Sequence, residues 1–250
     1  MMCRNSQAKR GRDAKLKKVR MASCLHVLLF FLLQTVLLSG WTGCEDKTAP
    51  AASGGKAVQR EKESLGTIVA VGDSLTAGQG VAEEMAYPAQ LERKLRDLGY
   101  AFTVVNAGVS GETSSGTLSR IEWVVASLDP DIIILETGAN DGLRGIDPTL
   151  LENNLEAVIN LLQEKKIVVV LAGMKMLPNL GPDYIEAFSR IYPQLAEKYN
   201  LIFMPFFLEG VAGDPELNQK DGIHPTTAGY TRMVDNLLPY VIEAIRNRSG

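Results

Sequence analysis

One stretch of the sequence decides the fold and consists of Ile68-Val69-Ala70-Val71-Gly72-Asp73-Ser74-Leu75. Its first four residues are apolar and mostly β-branched, which predicts a buried strand of a parallel sheet. Gly72 permits a sharp turn after this strand, and the turn brings Ser74 to the carboxyl edge of the sheet, where open α/β folds bind ligands. A helix beginning just after Ser74 would direct free N–H groups towards whatever the serine attacks. Taken alone, the motif also fits an ordinary strand–helix turn with Ser74 as the N-cap.

Strand and helix patterns alternate along the chain after this turn. Further apolar runs predict strands at residues 102–105, 131–137, 167–171 and 201–204. Helical periodicity predicts helices at about residues 88–98, 114–128, 149–164, 184–199 and 226–246. The alternation indicates the α/β class, as a three-layer α/β/α sandwich around a five-stranded, mainly parallel, doubly wound sheet. We expect the strand at 131–137 to be central, and Pro193 to break or kink its helix.

The first 43 residues have the layout of a secretory leader. Eight basic side chains lie between Arg4 and Arg20, an apolar run covers residues 27–38, and small residues follow. The apolar run is shorter than the roughly 20 residues of a membrane-spanning helix, although the residues after it would lengthen it. We therefore expect an exported, periplasmic protein, while a true span and a start at Met1, Met2 or Met21 stay open.

Cys44 follows Trp41-Thr42-Gly43, and this segment resembles a bacterial lipoprotein box. In such a box the cysteine becomes the lipidated N-terminus, but the usual leucine three residues earlier is replaced here by Trp41. Membrane anchorage through Cys44 and simple cleavage are therefore both open. Residues 44–64 are rich in small and charged residues without periodicity, which predicts a disordered tether before a domain at residues 65–250.

Composition excludes several classes of function for the domain. The three cysteines of the chain (Cys3, Cys24 and Cys44) all lie before residue 45, so the domain has no disulfide, thiol nucleophile or cysteine metal site. Without residues 1–43 the formal charge is −10, which argues against a nucleic-acid partner. No glycine-rich dinucleotide or P-loop motif follows a predicted strand, and there is no Gly-x-Ser-x-Gly elbow. We therefore expect no cofactor and no metal.

The segment Asp221-Gly222-Ile223-His224-Pro225 places an acid and a base three residues apart. This spacing lets the carboxylate of Asp221 reach the Nδ1–H of His224, which leaves Nε2 to accept a proton from a serine. A lone surface histidine is the ordinary alternative. This alternative is weakened because His224 is the one histidine outside the leader, so any histidine base of the domain must be this residue.

Three loops at the same predicted edge carry further candidates. The loop at 106–113 contains glycines that would let a backbone N–H approach a ligand, although such glycines often serve packing alone. Asn140 is a neutral amide donor after the central strand, and an Asx turn or N-cap is the alternative. The loop at 173–181 is rich in soft apolar residues that would hold an acyl chain or pack under a helix, namely Met174, Met176, Leu177 and Leu180.

Four of these segments occur in the order of the blocks of SGNH (GDSL) hydrolases, which the chain resembles over about residues 66–245. They are Gly72-Asp73-Ser74-Leu75, Ser110-Gly111, Gly138-Ala139-Asn140-Asp141 and Asp221-Gly222-Ile223-His224. The chain looks most similar to the branch of secreted acyl-CoA thioesterases, lysophospholipases and arylesterases. The resemblance implies the flavodoxin-like SGNH fold and hydrolysis of acyl esters and thioesters through an acyl-enzyme.

The resemblance also implies a role for each matching residue. Ser74 would be the nucleophile, His224 the general base and then acid, and Asp221 the orienting carboxylate. The oxyanion donors would be the Ser74 N–H, the Gly111 N–H and the side chain of Asn140. We expect a monomer that acts on small acyl esters, thioesters or lysophospholipids. A carbohydrate O-acetyl esterase and a non-catalytic binding lipoprotein are the alternatives, and the apolar loop at 173–181 favours the first hypothesis over sugar deacetylation.

Overall fold

A computed structural model describes residues 64–176 and 178–248 of the 250-residue chain. The leader, Cys44, nearly all of the tether and Leu177 lie outside the described residues. Within the described part, no helix is long and apolar enough to cross a membrane. No group of three or more histidine, cysteine, aspartate or glutamate residues in that part is arranged to hold a metal ion.

Five parallel strands form one sheet in the order β2-β1-β3-β4-β5. The strands are β1 Gly66–Gly72, β2 Phe102–Gly108, β3 Ile132–Glu136, β4 Val168–Ala172 and β5 Ile202–Met204. All five residues of β3 are buried, because the sheet is covered on both faces and β3 lies at its centre. The predicted parallel sheet and its predicted central strand are confirmed.

Helices cover both faces of the sheet. The helices are α1 Ser74–Ala77, α2 Tyr87–Asp97, α3 Ser114–Leu128, α4 Ala139–Leu143, α5 Pro148–Glu164, α6 Pro182–Tyr199 and α7 Thr227–Arg248. Helices α2 and α7 pack together on one face, while α3, α5 and α6 form the layer on the other face. The three-layer α/β/α sandwich is therefore confirmed.

The residues at or next to the helix ends explain where these helices begin and end. Pro88 lies in the first turn of α2, where its missing N–H costs nothing. Helix α3 ends at Leu128, and its C-cap residue Asp129 adopts a left-handed conformation before Pro130. Thr226 accepts a hydrogen bond from the Gly229 N–H through Oγ1, and so caps the start of α7 as predicted.

One expectation about local structure was wrong, and a second was wrong in part. Strand β2 runs to Gly108 rather than ending at residue 105, because it pairs in register with β1 along its whole length, up to the pair Gly72 and Gly108. The predicted loop therefore begins only at Val109. Of the break or kink predicted at Pro193, the break does not occur, because helix α6 continues through the proline.

The strand order creates a crevice beside β1. The chain leaves β1 to form β2 on one side and later returns to form β3 on the other side. Such a reversal of strand order leaves an opening at the carboxyl ends of the two strands, and open α/β sheets bind ligands there. Ser74 follows β1 and Asn140 follows β3, so both border this opening.

Candidate active site

Ser74 is the first residue of the four-residue helix α1. The N-cap of this helix is Asp73, whose Oδ1 accepts the Leu75 N–H at 3.0 Å. The alternative that Ser74 itself serves as the N-cap is therefore excluded, and its hydroxyl remains available for another partner. A Cβ at position 72 would lie 2.2 Å from Thr76 Oγ1, so the turn before Ser74 requires glycine.

His224 and Asp221 lie in the loop that precedes α7. The Nδ1 atom of His224 is 2.7 Å from Oδ2 of Asp221, and Nε2 is 2.9 Å from Oγ of Ser74. Asp221 Oδ1 also accepts the backbone N–H groups of Ile223 and His224, at 3.1 and 3.0 Å. One carboxylate thus holds both the backbone and the ring of His224, which favours the tautomer with a proton on Nδ1.

These hydrogen bonds change the ionisation of Asp221. The bond with the His224 side chain, followed by the two backbone N–H groups, lowers the pKa of Asp221 from 3.8 to about 2. Asp221 is therefore a carboxylate at every pH at which an imidazole can act as a base. Ser74 and His224 are largely buried, each residue being 9% exposed, so their contact lies away from bulk water.

Asn140 and Gly111 border the same cavity as Ser74. Asn140, in the first turn of α4, donates its Nδ2–H to Oδ2 of Asp73 at 3.0 Å. An amide nitrogen carries two N–H groups, so this bond orients the side chain and uses one of them. Gly111 has φ +78°, a left-handed conformation that favours glycine, and its carbonyl accepts Nη2–H of Arg144 at 2.7 Å.

The loop that carries Gly111 is braced from two sides. Glu112 forms a two-point ion pair with Arg120, with N···O distances of 2.7 and 2.6 Å. The buried carboxylate of Asp141 accepts the backbone N–H of Ser114 at 2.8 Å, at the start of α3. The first contact joins the loop after β2 to α3, and the second joins the start of α3 to the residues after β3, where Asn140 lies.

A cavity of about 570 Å³ opens beside Ser74. Its apolar lining includes Leu75, Leu143, Met174, Met176, Phe206, Leu208 and Ile223. Met174 and Met176 were predicted to contact an acyl chain, and both lie in this wall. Leu180 is not among the lining residues, because the chain turns into a short 3-10 helix at Pro178–Leu180 and directs Leu180 towards Gly145. Leu143, Phe206, Leu208 and Ile223 also line the cavity but were not predicted to do so. For Phe206 and Leu208 the available signal was the apolar character of residues 205–211.

A second buried acid, Glu136, lies behind the nucleophile turn and was also missed. It is fully buried, and burial followed by the charge of Asp73 raises its pKa well above 4.5. Burial also raises the pKa of Asp73, although hydrogen bonds from Leu75 and Asn140 oppose this effect. The available signal was an acid that ends an otherwise apolar strand, Ile-Ile-Ile-Leu-Glu.

A hydroxyl, an imidazole and a carboxylate in contact at the carboxyl edge of a doubly wound sheet form the arrangement of a serine hydrolase. The sequence profile of the GDSL-like Lipase/Acylhydrolase family matches residues 70–232. The chain belongs to this family, as the four sequence blocks predicted.

Curated relatives and solved structures agree with this assignment. Esterase TesA of Pseudomonas aeruginosa is 42% identical over 173 residues, which cover 69% of this chain and 86% of that protein. Thioesterase 1/protease 1/lysophospholipase L1 of Escherichia coli is 37% identical over 159 residues, covering 64% of this chain and 75% of that protein. The crystal structure of AlinE4, an SGNH-hydrolase family esterase, matches with a TM-score of 0.62 at 45% identity, over 73% of this chain and 97% of that chain. The protein is therefore a hydrolase that acts on ester bonds, as expected.

Proposed function

We propose that this protein is an exported serine esterase of the arylesterase, lysophospholipase and acyl-CoA thioesterase type. It cleaves acyl esters and thioesters through an acyl-enzyme on Ser74. The observation that carries this proposal is the continuous contact from Asp221 through His224 to Ser74 beside an apolar cavity. The names of the relatives, which include esterase, thioesterase and lysophospholipase, support the same substrate classes.

The first half of the reaction acylates the serine. Nε2 of His224 takes the proton of Ser74 Oγ as that oxygen attacks the carbonyl carbon. The negative charge that develops on the carbonyl oxygen is stabilised by the N–H groups of Ser74 and Gly111 and by the Asn140 amide. His224 then returns the proton to the leaving alcohol or thiol, and the acyl group stays on Ser74.

The second half repeats these steps with water. His224 removes a proton from a water molecule, the resulting nucleophile attacks the acyl carbon, and Ser74 leaves with the proton from His224. Asp221 stays ionised throughout and stabilises the imidazolium in both halves, because its pKa lies near 2. Each oxyanion donor is worth about 3 kcal/mol of transition-state stabilisation.

The cavity supports substrates with an apolar acyl or aryl part. Met174 and Met176 supply flexible, polarisable thioethers, and Phe206 and Leu208 line the cavity as well. Such a wall gives few hydrogen-bond partners to sugar hydroxyl groups, so it favours lipid and aryl esters over acetylated carbohydrates. Export follows from the leader at residues 1–43, and lipidation at Cys44 is the proposed route to a membrane anchor.

Hydrolysis of p-nitrophenyl esters from acetate to palmitate tests the proposal, with Ser74→Ala measured in parallel. We expect activity that extends to medium or long chains and disappears in the variant. Activity on acetate alone would instead support sugar deacetylation, and no activity on any ester would support the binding-protein alternative. Incorporation of labelled palmitate into the full chain, compared with Cys44→Ala, tests the anchor.

A further inference from the structure

The carboxyl group of Glu136 contacts the nucleophile turn on both sides of Ser74. Glu136 is the last residue of β3 and is fully buried. Its Oε2 accepts the backbone N–H of Asp73 at 3.2 Å and the Oγ1–H of Thr76 at 2.9 Å. One oxygen atom therefore binds the residue before Ser74 and the residue two positions after it.

Gly72 makes room for this contact. A Cβ at position 72 would lie 2.4 Å from Glu136 Oε2 and 2.6 Å from the Glu136 carbonyl oxygen. Any other residue at position 72 would therefore displace the carboxyl group or the end of β3. The glycine of the Gly-Asp-Ser motif thus has a second purpose beyond the turn itself, because it lets the central strand support the turn directly.

We propose that Glu136 is a positioning residue for Ser74, whose carboxyl group holds the nucleophile turn by accepting these two hydrogen bonds. Glu136 does not contact Ser74 Oγ or His224 and acts on the reaction through the backbone of the turn. The inference rests on the proposed function, in which Ser74 is the nucleophile. Small errors in nucleophile position cost large factors in rate, so a support of this kind acts mainly on kcat.

The surroundings of Glu136 favour its neutral form. Oε1 has no hydrogen-bond partner among the described residues, whereas Oδ1 and Oδ2 of Asp73 each accept a hydrogen bond. A carboxylate with an unpartnered buried oxygen is costly, so the negative charge stays on Asp73 and the proton on Glu136.

The titratable groups around Glu136 agree with this assignment. Besides Asp73 in the turn, they are three phenols, namely Tyr87 of α2, Tyr192 of α6 and Tyr230 of α7. Burial raises the pKa of all three phenols, and the charge on Glu136 would raise each further, so they remain uncharged.

Two substitutions of Glu136 distinguish the effect of its hydrogen bonds on kcat from the effect of its side-chain volume. Glu136→Gln keeps a carbonyl oxygen that accepts both bonds, and Glu136→Leu keeps a similar volume but accepts none. Glu92→Leu is the matched control, since Glu92 also accepts a backbone N–H, from Val104 at 2.7 Å, but lies outside the cavity lining.

The experiment measures kcat, KM and the rate at which a fluorophosphonate labels Ser74 in the full protein. We expect Glu136→Leu to lower kcat and the labelling rate about tenfold or more, with KM changed less than about twofold. Glu136→Gln should recover at least about a third of the wild-type kcat. In the pH profile of kcat/KM, the acid limb of Glu136→Gln should lie at the same pH as that of the wild type, because the substitution removes no charge from a neutral Glu136.

Three results would overturn the positioning role of Glu136. Wild-type kcat in Glu136→Leu, or an equal loss of kcat in Glu92→Leu, would remove the positioning role. A folded Glu136→Gln as slow as Glu136→Leu would do the same, and an acid limb displaced to lower pH would show a charged Glu136. If Glu136→Leu does not fold, Thr76→Val and Thr76→Ser test the positioning role from the other side of the hydrogen bond. Thr76→Val, which loses the hydroxyl, should lower kcat several-fold, and Thr76→Ser, which keeps it, should not. Turnover that survives in Ser74→Ala would instead contradict the proposed function.

Discussion

The Nε2 atom of His224 lies 2.9 Å from the Oγ atom of Ser74, although 150 residues separate them in the chain. The contact exists because Ser74 follows β1 and His224 precedes α7, at the same edge of the sheet. Proton transfer between the two atoms needs no rearrangement of the protein, so the site is assembled before substrate binds.

Ser74→Ala removes the nucleophile and should abolish turnover of p-nitrophenyl esters. His224→Ala should do the same, since no other described histidine can take its place. Thermal unfolding should show that Ser74→Ala is folded, because the hydroxyl is not the cap of α1. Measurable burst kinetics in Ser74→Ala would contradict an acyl-enzyme on this residue.

Asp221→Asn should lower kcat less than His224→Ala does. The amide still accepts the two backbone N–H groups but no longer holds the correct imidazole tautomer. We expect a large loss of kcat with normal far-UV circular dichroism. Loss of folding in this variant would make Asp221 a structural residue instead.

The pKa of Asp221, lowered to about 2, predicts the acid limb of the pH profile of kcat/KM. Asp221 stays ionised above about pH 4, so this carboxylate should contribute no ionisation to the limb above that pH. The ionised Asp221 also stabilises the folded protein at a pH above 3.8, which is the pKa of this residue in the unfolded chain. This stabilisation is lost as the pH falls from 3.8 towards 2. A second ionisation between pH 4 and 7 that disappears in Asp221→Asn would show that the carboxylate titrates in this range.

Asn140→Ala removes an oxyanion donor and should lower kcat roughly 100-fold or more, with a small change in KM. It also removes the hydrogen bond to Asp73. Asn236→Ala is the control, because the Asn236 amide also donates a hydrogen bond, here to the backbone carbonyl of Glu209, but is half-buried and lies outside the cavity. Equal effects of the two substitutions on kcat would argue against an oxyanion role for Asn140.

Met176→Trp should shorten the range of acyl chains that the protein accepts. Met176 lines the cavity, and its Sδ would lie 1.9 Å from a Cβ at position 142, so an indole has little room except inside the cavity. We expect kcat/KM to fall for decanoate and longer esters and to change little for acetate. Met85→Trp, at an exposed position outside the cavity, should leave the chain-length profile unchanged.

The raised pKa of Glu136 predicts a dependence of stability on pH. Above 4.5 the unfolded chain releases this proton while the folded protein keeps it, so the free energy of unfolding falls as the pH rises through that window. The slope for one proton is at most about 1.4 kcal/mol per pH unit. Glu136→Gln does not titrate, so its stability relative to the wild type should rise between pH 5 and 8 in urea unfolding. Parallel curves for the two proteins would contradict a neutral Glu136.

The sequence by itself determined the local parts of this protein. The apolar run of β3, the turn at Gly72-Asp73-Ser74 and the boundaries of α3 could be predicted, because each depends on periodicity or on residues next to one another. The pairing of Asp221 with His224 is of the same kind. Three residues separate the two, and the carboxylate reaches the ring without help from the rest of the chain.

Only the tertiary structure decided which distant residues meet. Glu136 contacts the turn that carries Ser74 because β3 pairs with β1, and the residues next to Glu136 in sequence do not predict that contact. Phe206 and Leu208 line the cavity while Leu180 does not, because loop directions depend on packing against neighbouring helices. The periodicity of apolar residues predicts which face of a helix or strand is buried. Which residues that face contacts depends on how the whole chain packs.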